Sequence, residues 1–255
     1  MYKGLKVAVV VPAYKEEAHI VATISGIPEF VDLVVVIDDA SPDATYQKAA
    51  DYQEELGSAA NRLMITRLPI NRGVGGAIIH GHKIALLEKC DVSVVMAGDN
   101  QMDPQYLPAL LDPIASGSAD FTKGNRFFSV DALTGMPKYR VIGNAALGFL
   151  TKAASGYWKI FDPQNGYTAI TAEALNKIPL DRVQERYDFE NDLLVWLSIS
   201  GARIIDVDIP ARYGTENSTI ALGPFIVHVL RTLLLGFVRR IFWKFSGKSR
   251  KLRQG

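Results

Sequence analysis

Three groups of acidic and amide side chains each follow a short apolar run. Pro12, Tyr14 and Glu16 come after Lys6–Val11. Asp38, Asp39, Ser41 and Asp43 come after Leu33–Ile37, and Asp99, Gln101 and Asp103 come after Val92–Met96. Carboxylates gathered at one edge repel one another unless a cation or N–H donors stand between them. A hard divalent ion with oxygen ligands, Mg²⁺ or Mn²⁺, answers that need and would bridge carboxylate to phosphate. Any one Asp here also reads as a turn residue or helix cap, Asp43 and Asp103 in particular.

The elements that position these groups follow from hydrophobic pattern. Lys6–Val11, Leu33–Ile37, Leu63–Thr66 and Val92–Met96 are short, largely apolar runs, suited to strands buried on both faces. Helical stretches lie between them, roughly over 17–25, 44–56 and 74–89. The alternation predicts an α/β fold with a mostly parallel sheet and helices on both faces. In such sheets ligands bind at the carboxyl ends of the strands, where the three groups fall. Later, 104–116, 139–155 and 191–200 read as helices, and 119–122 and 202–207 as strands.

The chain has 255 residues and a formal charge of +1, with Cys90 its only cysteine. A lone cysteine excludes an internal disulfide and fits a reducing compartment. The basic residues Arg239, Arg240, Lys244, Lys248, Arg250, Lys251 and Arg253 are unaccompanied by acid, so the rest of the chain is net acidic. Within 225–244, His228, Arg231, Thr232, Gly236 and Arg239 project to one side of a helix. Ile226, Leu230, Leu233, Leu234, Phe237 and Val238 project to the other. A central Arg costs ~3 kcal/mol in a spanning helix. The segment therefore reads as an interfacial amphipathic helix, with the basic tail on anionic lipid. A core or dimer helix is the alternative. The basic residues cluster in a tail rather than alternating with aromatics, which argues against nucleic-acid binding.

The strings VVVPAYKEE, VVVIDDASPDAT, NRGVGGAIIHGHKIAL, AGDNQMDP, KGNRF, RVIGN, FDPQNGYTAI, YDFENDLL and IPARYGTENSTI occur in that order. Together they resemble the inverting family 2 glycosyltransferases, and more narrowly polyprenyl-phosphate sugar synthases of the dolichyl-phosphate-mannose synthase kind. The resemblance spans Val7 to Ile220. It implies a Rossmann-like GT-A domain over residues 1–220, followed by a membrane-associating segment over 221–255.

By this resemblance Pro12, Tyr14, Glu16, Asp38 and Asp39 hold the nucleotide of the donor, and the loop with Gly73 and Gly76 lies beside it. AGDNQMDP matches the metal motif, with Ala97 in place of its first Asp. Asp99 and Gln101 remain as ligands. Arg126 and Arg140 match positions that hold an acceptor phosphate, where a guanidinium can grip bidentately. Asp162, Gln164 and Asn165 fall in a stretch that lines the sugar pocket. Glu190 and Asp192 match a catalytic acid pair used with hydroxyl acceptors. Two residues apart on a helix, they point about 200° apart, so only one faces a substrate. Tyr213, Glu216 and Ser218 suggest a lid.

The implied activity is transfer of a hexose from a UDP- or GDP-sugar to a membrane polyprenyl phosphate, at the cytoplasmic face and from a peripheral position. Self-association is compatible with it. The alternative acceptor is a glycan hydroxyl, which requires Glu190 or Asp192 as base. Ala97 keeps open a non-catalytic nucleotide-sugar binder. A nucleotidyltransferase would carry an early glycine-rich basic signature, which the first strand does not precede.

Overall fold

The computed structural model describes residues 1–126, 138–210 and 222–245. Seven strands form one sheet: β1 (Val7–Ala13), β2 (Leu33–Asp38), β3 (Leu63–Arg67), β4 (Val92–Val95), β5 (Phe121–Asn125), β6 (Thr168–Thr171) and β7 (Ile204–Asp208). Their order is β3-β2-β1-β4-β6-β5-β7. The first four are mutually parallel, β6 is antiparallel to β4 and β5, and β7 is parallel to β5. The strand order reverses between β1 and β4, and this places a crevice at their carboxyl ends.

Alternation along β1 sorts the helices onto two faces. Val7, Val9 and Val11 pack with α1 (Ile20–Gly26) and α4 (Leu107–Ala115). Ala8 and Val10 pack with α3 (Val74–Leu87) on the other face. Helix α2 (Thr45–Leu56) lies beside α1, and α6 (Ala172–Asn176) directly follows β6. On the α3 side, α5 (Lys138–Ser155), α7 (Phe189–Ser200) and α8 (Leu222–Phe245) pack together. Sequence pattern anticipated β1 to β4 and most helices. It did not anticipate β6, whose four residues sit in the middle of the sheet.

Helix α8 is oriented by polar groups. Val229, Thr232 and Leu233 are buried, and Gly236 lies against Val195 of α7. Thr232 Oγ1 donates to Asp188 (2.6 Å), Arg239 pairs with buried Asp192 and lies over the Trp196 ring, and Arg240 donates to the Ala153 and Ala154 carbonyls. Much of the side that the projection marks as polar thus faces the protein. Leu230, Leu234, Leu235, Phe237, Val238, Ile241, Phe242 and Phe245 face outward. No helix among the described residues is long and apolar enough to cross a membrane.

Helix α3 packs tightly on the sheet at Gly81. A methyl there would lie 2.9 Å from Val10 Cγ2 and 3.1 Å from its Cβ, in the middle of β1. Helix propensity alone favours Gly81→Ala by ~1 kcal/mol. Overpacking against an immobile strand outweighs it. Gly81→Ala is therefore expected to destabilise by about 2 kcal/mol net, read as a lower urea midpoint with an unchanged slope.

Candidate functional site

The crevice between β1 and β4 is a cleft of about 320 Å³. Its walls come from the sheet edge: Pro12 and Ala13 at the end of β1 with Tyr14 and Glu16 just beyond it, Asp39 after β2, and Ala97, Gly98 and Asp99 after β4. Asn71, Gly73, Val74 and Ala77 at the start of α3, with Arg186 and Tyr187 before α7, complete it. The backbone ties the loops together. Asp39 N donates to Ala13 O (2.9 Å), and Gly98 N to Pro12 O (3.1 Å).

The adjacent Asp38 and Asp39 point to opposite destinations. Asp38 is fully buried, pairs with Arg67 (3.2 Å) and accepts from Ser41 N. It braces the turn after β2 and does not line the cleft. Asp39 does line it, and accepts from the backbone N–H of Arg72 (2.7 Å) and of Gly73 (2.8 Å). Burial pushes its carboxyl above the usual range, while those two N–H groups and the Arg186 charge oppose the rise.

Gly73 caps α3 with φ 86°, a conformation that suits glycine. Side chains at Gly75 and Gly76 would meet Phe189 and Arg72, and Gly76 N donates to Glu185 O (2.9 Å). The glycines therefore admit the segment before α7 close to α3. That segment carries Arg186 and Tyr187 to the cleft, and its Glu185 pairs with Arg72. Neither Arg186 nor Tyr187 was singled out from sequence. The only signal for them was YDFENDLL itself, which Tyr187 opens and Arg186 immediately precedes.

Asp99 lies on the cleft wall, and its carboxylate accepts from Gln101 N (3.0 Å). Gln101 is half-buried and stands outside that wall. Among the described residues no three His, Cys, Asp or Glu side chains converge tightly enough to hold an ion unaided. Glu16, Asp39 and Asp99 nonetheless offer only oxygen around one cleft, a donor set that suits a hard divalent ion completed by phosphate oxygens. Asp43 accepts from Thr45 N and Oγ1 in the turn that opens α2, and Asp103 accepts from Gln105 N (3.0 Å) as the cap of the short turn before α4.

Arg126 directly follows β5, and its guanidinium bridges Asp162 through Nε (2.6 Å) and Nη2 (3.1 Å). Arg140 falls in α5, with its side chain outside the described residues, as are Tyr213, Glu216, Ser218 and the tail beyond Phe245. Gln164 donates to Asn191 (2.9 Å), which also accepts from Thr151. Asn165 is buried; it accepts from Tyr167 N through its side chain and from Lys123 Nζ through its carbonyl.

Neither Glu190 nor Asp192 lines the cleft. Glu190 borders a small separate cavity with Lys123, Gly166 and Leu194. Burial raises its carboxyl pKa, opposed by the Lys123 charge. Lys123 is itself buried, which lowers its pKa. Asp192 is buried under α8, accepting from Arg239 and from Gln184 N (3.1 Å). Burial raises its pKa, and the Arg239 charge opposes the rise.

This geometry has known counterparts. The Glycosyl transferase family 2 profile matches residues 8–179. The UDP-N-acetylglucosamine–dolichyl-phosphate N-acetylglucosaminyltransferase of Methanococcus voltae is 27% identical, over 90% of this chain and 96% of its own. The undecaprenyl-phosphate mannosyltransferase of Micrococcus luteus is 28% identical, over 80% and 83%. The dolichol-phosphate mannosyltransferase of Pyrococcus furiosus is 30% identical over 82% of this chain, which spans 57% of that longer relative. Among solved structures, glucosyl-3-phosphoglycerate synthase of Mycobacterium tuberculosis, with Mn²⁺, UDP-glucose and phosphoglyceric acid, superposes with a TM-score of 0.69. It shares 21% identity over 92% of this chain and 80% of its own, a likeness of fold. With a mostly parallel sheet of Rossmann-like GT-A type and a profile match across most of its length, the chain belongs to glycosyl transferase family 2 and is a glycosyltransferase.

Proposed function

We propose that this enzyme transfers a hexose, with inversion, from a UDP- or GDP-linked sugar to a membrane polyprenyl phosphate. The observation that carries the reading is the engagement of both candidate bases. Asp192 is paired with Arg239 beneath α8, and Glu190 sits beside Lys123 in a separate small cavity. A hydroxyl acceptor needs a base to take its proton. A phosphate is already ionised. Its oxygen attacks the anomeric carbon as the bond to the donor's diphosphate breaks, and the nucleoside diphosphate leaves with the electron pair. The acceptors named for the Methanococcus and Micrococcus relatives are of this class.

In this reading Pro12, Tyr14, Glu16 and Asp39 hold the nucleotide, with Gly73 and Gly76 shaping the start of α3 beside it. Asp38 supports Asp39 through the turn. Gln164 and Asn165 keep the 162–166 loop in place through their internal bonds. Arg126 and Arg140 receive the acceptor phosphate. Asp99 and Gln101 would hold Mg²⁺ or Mn²⁺, whose charge stabilises the leaving diphosphate. Residues 1–220 form the catalytic part, and 221–255 attach it peripherally to the cytoplasmic face. The outward row on α8 supports that attachment: it is apolar, and the tail that follows is basic.

With radiolabelled UDP-glucose, UDP-N-acetylglucosamine and GDP-mannose offered alongside polyprenyl phosphate, label from one donor is expected in the organic phase. EDTA abolishes it, and Asp99→Ala lowers it about 100-fold or more. Glu190→Gln lowers it by less than about tenfold, whereas a hydroxyl acceptor would make that loss 100-fold or greater. Label appearing only in a glycan, with Glu190→Gln inactive, would overturn the lipid reading. Separately, the protein is expected to float with vesicles containing anionic phospholipid. Leu234→Glu with Phe242→Glu should release it while leaving its melting temperature within about 2 °C, since both side chains are outward-facing. Dimer dissociation by this pair, with flotation unchanged, would assign the row to self-association instead.

A further inference from the structure

Asp162 is fully buried, and one side chain takes up its carboxylate. Oδ2 accepts from Arg126 Nε at 2.6 Å and from Arg126 backbone N at 3.3 Å, and Oδ1 accepts from Nη2 at 3.1 Å. The two residues come from separate elements. Arg126 directly follows β5, and Asp162 sits in the loop between α5 and β6. The Asp162 carbonyl accepts from Asn165 N, and the Asn165 carbonyl accepts from Lys123 Nζ on β5. The loop is thus fastened to β5 at two points, and the carboxylate cannot drift from the guanidinium it holds.

A guanidinium is planar and has two bidentate edges. Asp162 occupies the Nε/Nη2 edge, so the Nη1/Nη2 edge points away from the buried carboxylate. The arginine side chain remains about one-third exposed (36%) while its partner is at 1%. A long side chain pinned in this way loses little further freedom when an anion docks on its outer edge. The pairing also has a cost for anion binding, because Asp162 offsets part of the Arg126 charge. The two effects oppose each other, so the sign of an Asp162 substitution is informative.

We propose that Asp162 is a positioning residue: it locks the Arg126 guanidinium so that its outer edge meets the phosphate of the acceptor. This rests on the reading of Arg126 as an acceptor-phosphate residue. Asp162 itself touches no substrate and acts through Arg126.

The test is calorimetric binding of farnesyl phosphate to the full chain, with UDP and GDP binding in Mn²⁺ as the control for the donor cleft. Arg126→Ala and Asp162→Asn are each expected to weaken farnesyl phosphate about tenfold. The double variant should be no weaker than Arg126→Ala alone, since Asp162 has no other route to the ligand. Nucleotide affinity should stay within about twofold. Arg126→Lys keeps the positive charge without the planar fork, and it too should lose about tenfold, which preserves the test if Asp162→Asn fails to fold. Unchanged or tighter farnesyl phosphate binding in Asp162→Asn would overturn the proposal, as would wild-type binding by Arg126→Lys. Equal weakening of nucleotide and farnesyl phosphate by Asp162→Asn would mark a merely structural role and also overturn it. Wild-type binding by Arg126→Ala would overturn the underlying acceptor reading, a result distinct from all of these.

Discussion

A carboxylate taken out of water must be met by a cation or by hydrogen-bond donors, or it destabilises the fold by several kcal/mol. This chain buries Asp38, Asp39, Asp162, Asp188 and Asp192. Each is answered from another part of the sequence: Asp38 by Arg67, Asp39 by the N–H groups that open α3, Asp162 by Arg126, Asp188 by Thr232 and Asp192 by Arg239. These pairings join strands to loops and α7 to α8. They are also directional, since losing either partner leaves a charge or a donor stranded. Hydrophobic burial gives the two-faced sandwich of helices on sheet, and the carboxylate pairings fix which residues face the cleft and which face the core.

The first turn of α7 is where this constraint does most. Immediately before it, Arg186 and Tyr187 face the cleft, while Asp188 turns to Thr232 of α8. Within it, Glu190 turns toward Lys123 and Asp192 toward Arg239. One short stretch therefore touches the cleft, the floor of the sheet and the C-terminal helix. Glycines at 75 and 76 allow it to approach α3 that closely. On the proposed reading, the helix that meets the lipid is tied by two buried carboxylates to the wall of the donor site. No long connection separates attachment from chemistry.

The parts that could be read from sequence share a physical reason. β1, β2 and β4 are buried on both faces, so they appear as short valine-rich runs with almost no polar residue whatever surrounds them. The groups after those runs had to lie at one sheet edge, and Tyr14, Glu16, Asp39 and Asp99 do line one cleft. The direction of a side chain depends on partners far away in sequence. Nothing local distinguishes Asp38 from Asp39 until Arg67 takes the first and the start of α3 the second. The periodicity of α8 separates two sides without saying which turns inward, because Asp188 and Asp192, some forty residues upstream, decide it. β6 was missed for another reason. Thr168–Thr171 is four residues long and half threonine, and neighbours on both sides rather than its own pattern make it a strand.

Ala97 stands where the resemblance implies the first Asp of a metal motif, and the electrostatics of the cleft bear on how it is tolerated. Among the described residues, Glu16, Asp39 and Asp99 already bring three carboxylates to its walls, against the one guanidinium of Arg186. A fourth carboxylate at 97 would add repulsion beyond what Arg186 offsets. Ala97 instead lies half-buried, its N–H directed at the Met102 sulfur (3.2 Å). Asp39 has two backbone N–H partners, and a diphosphate with a divalent ion brings its own compensating charge. Magnesium and manganese need only one or two protein carboxylates when phosphate oxygens complete their coordination. On the proposed reading Asp99 meets that minimum with Gln101 as its neutral companion, so losing the carboxylate at 97 changes how tightly the ion is held before the donor arrives more than whether it is held with the donor bound.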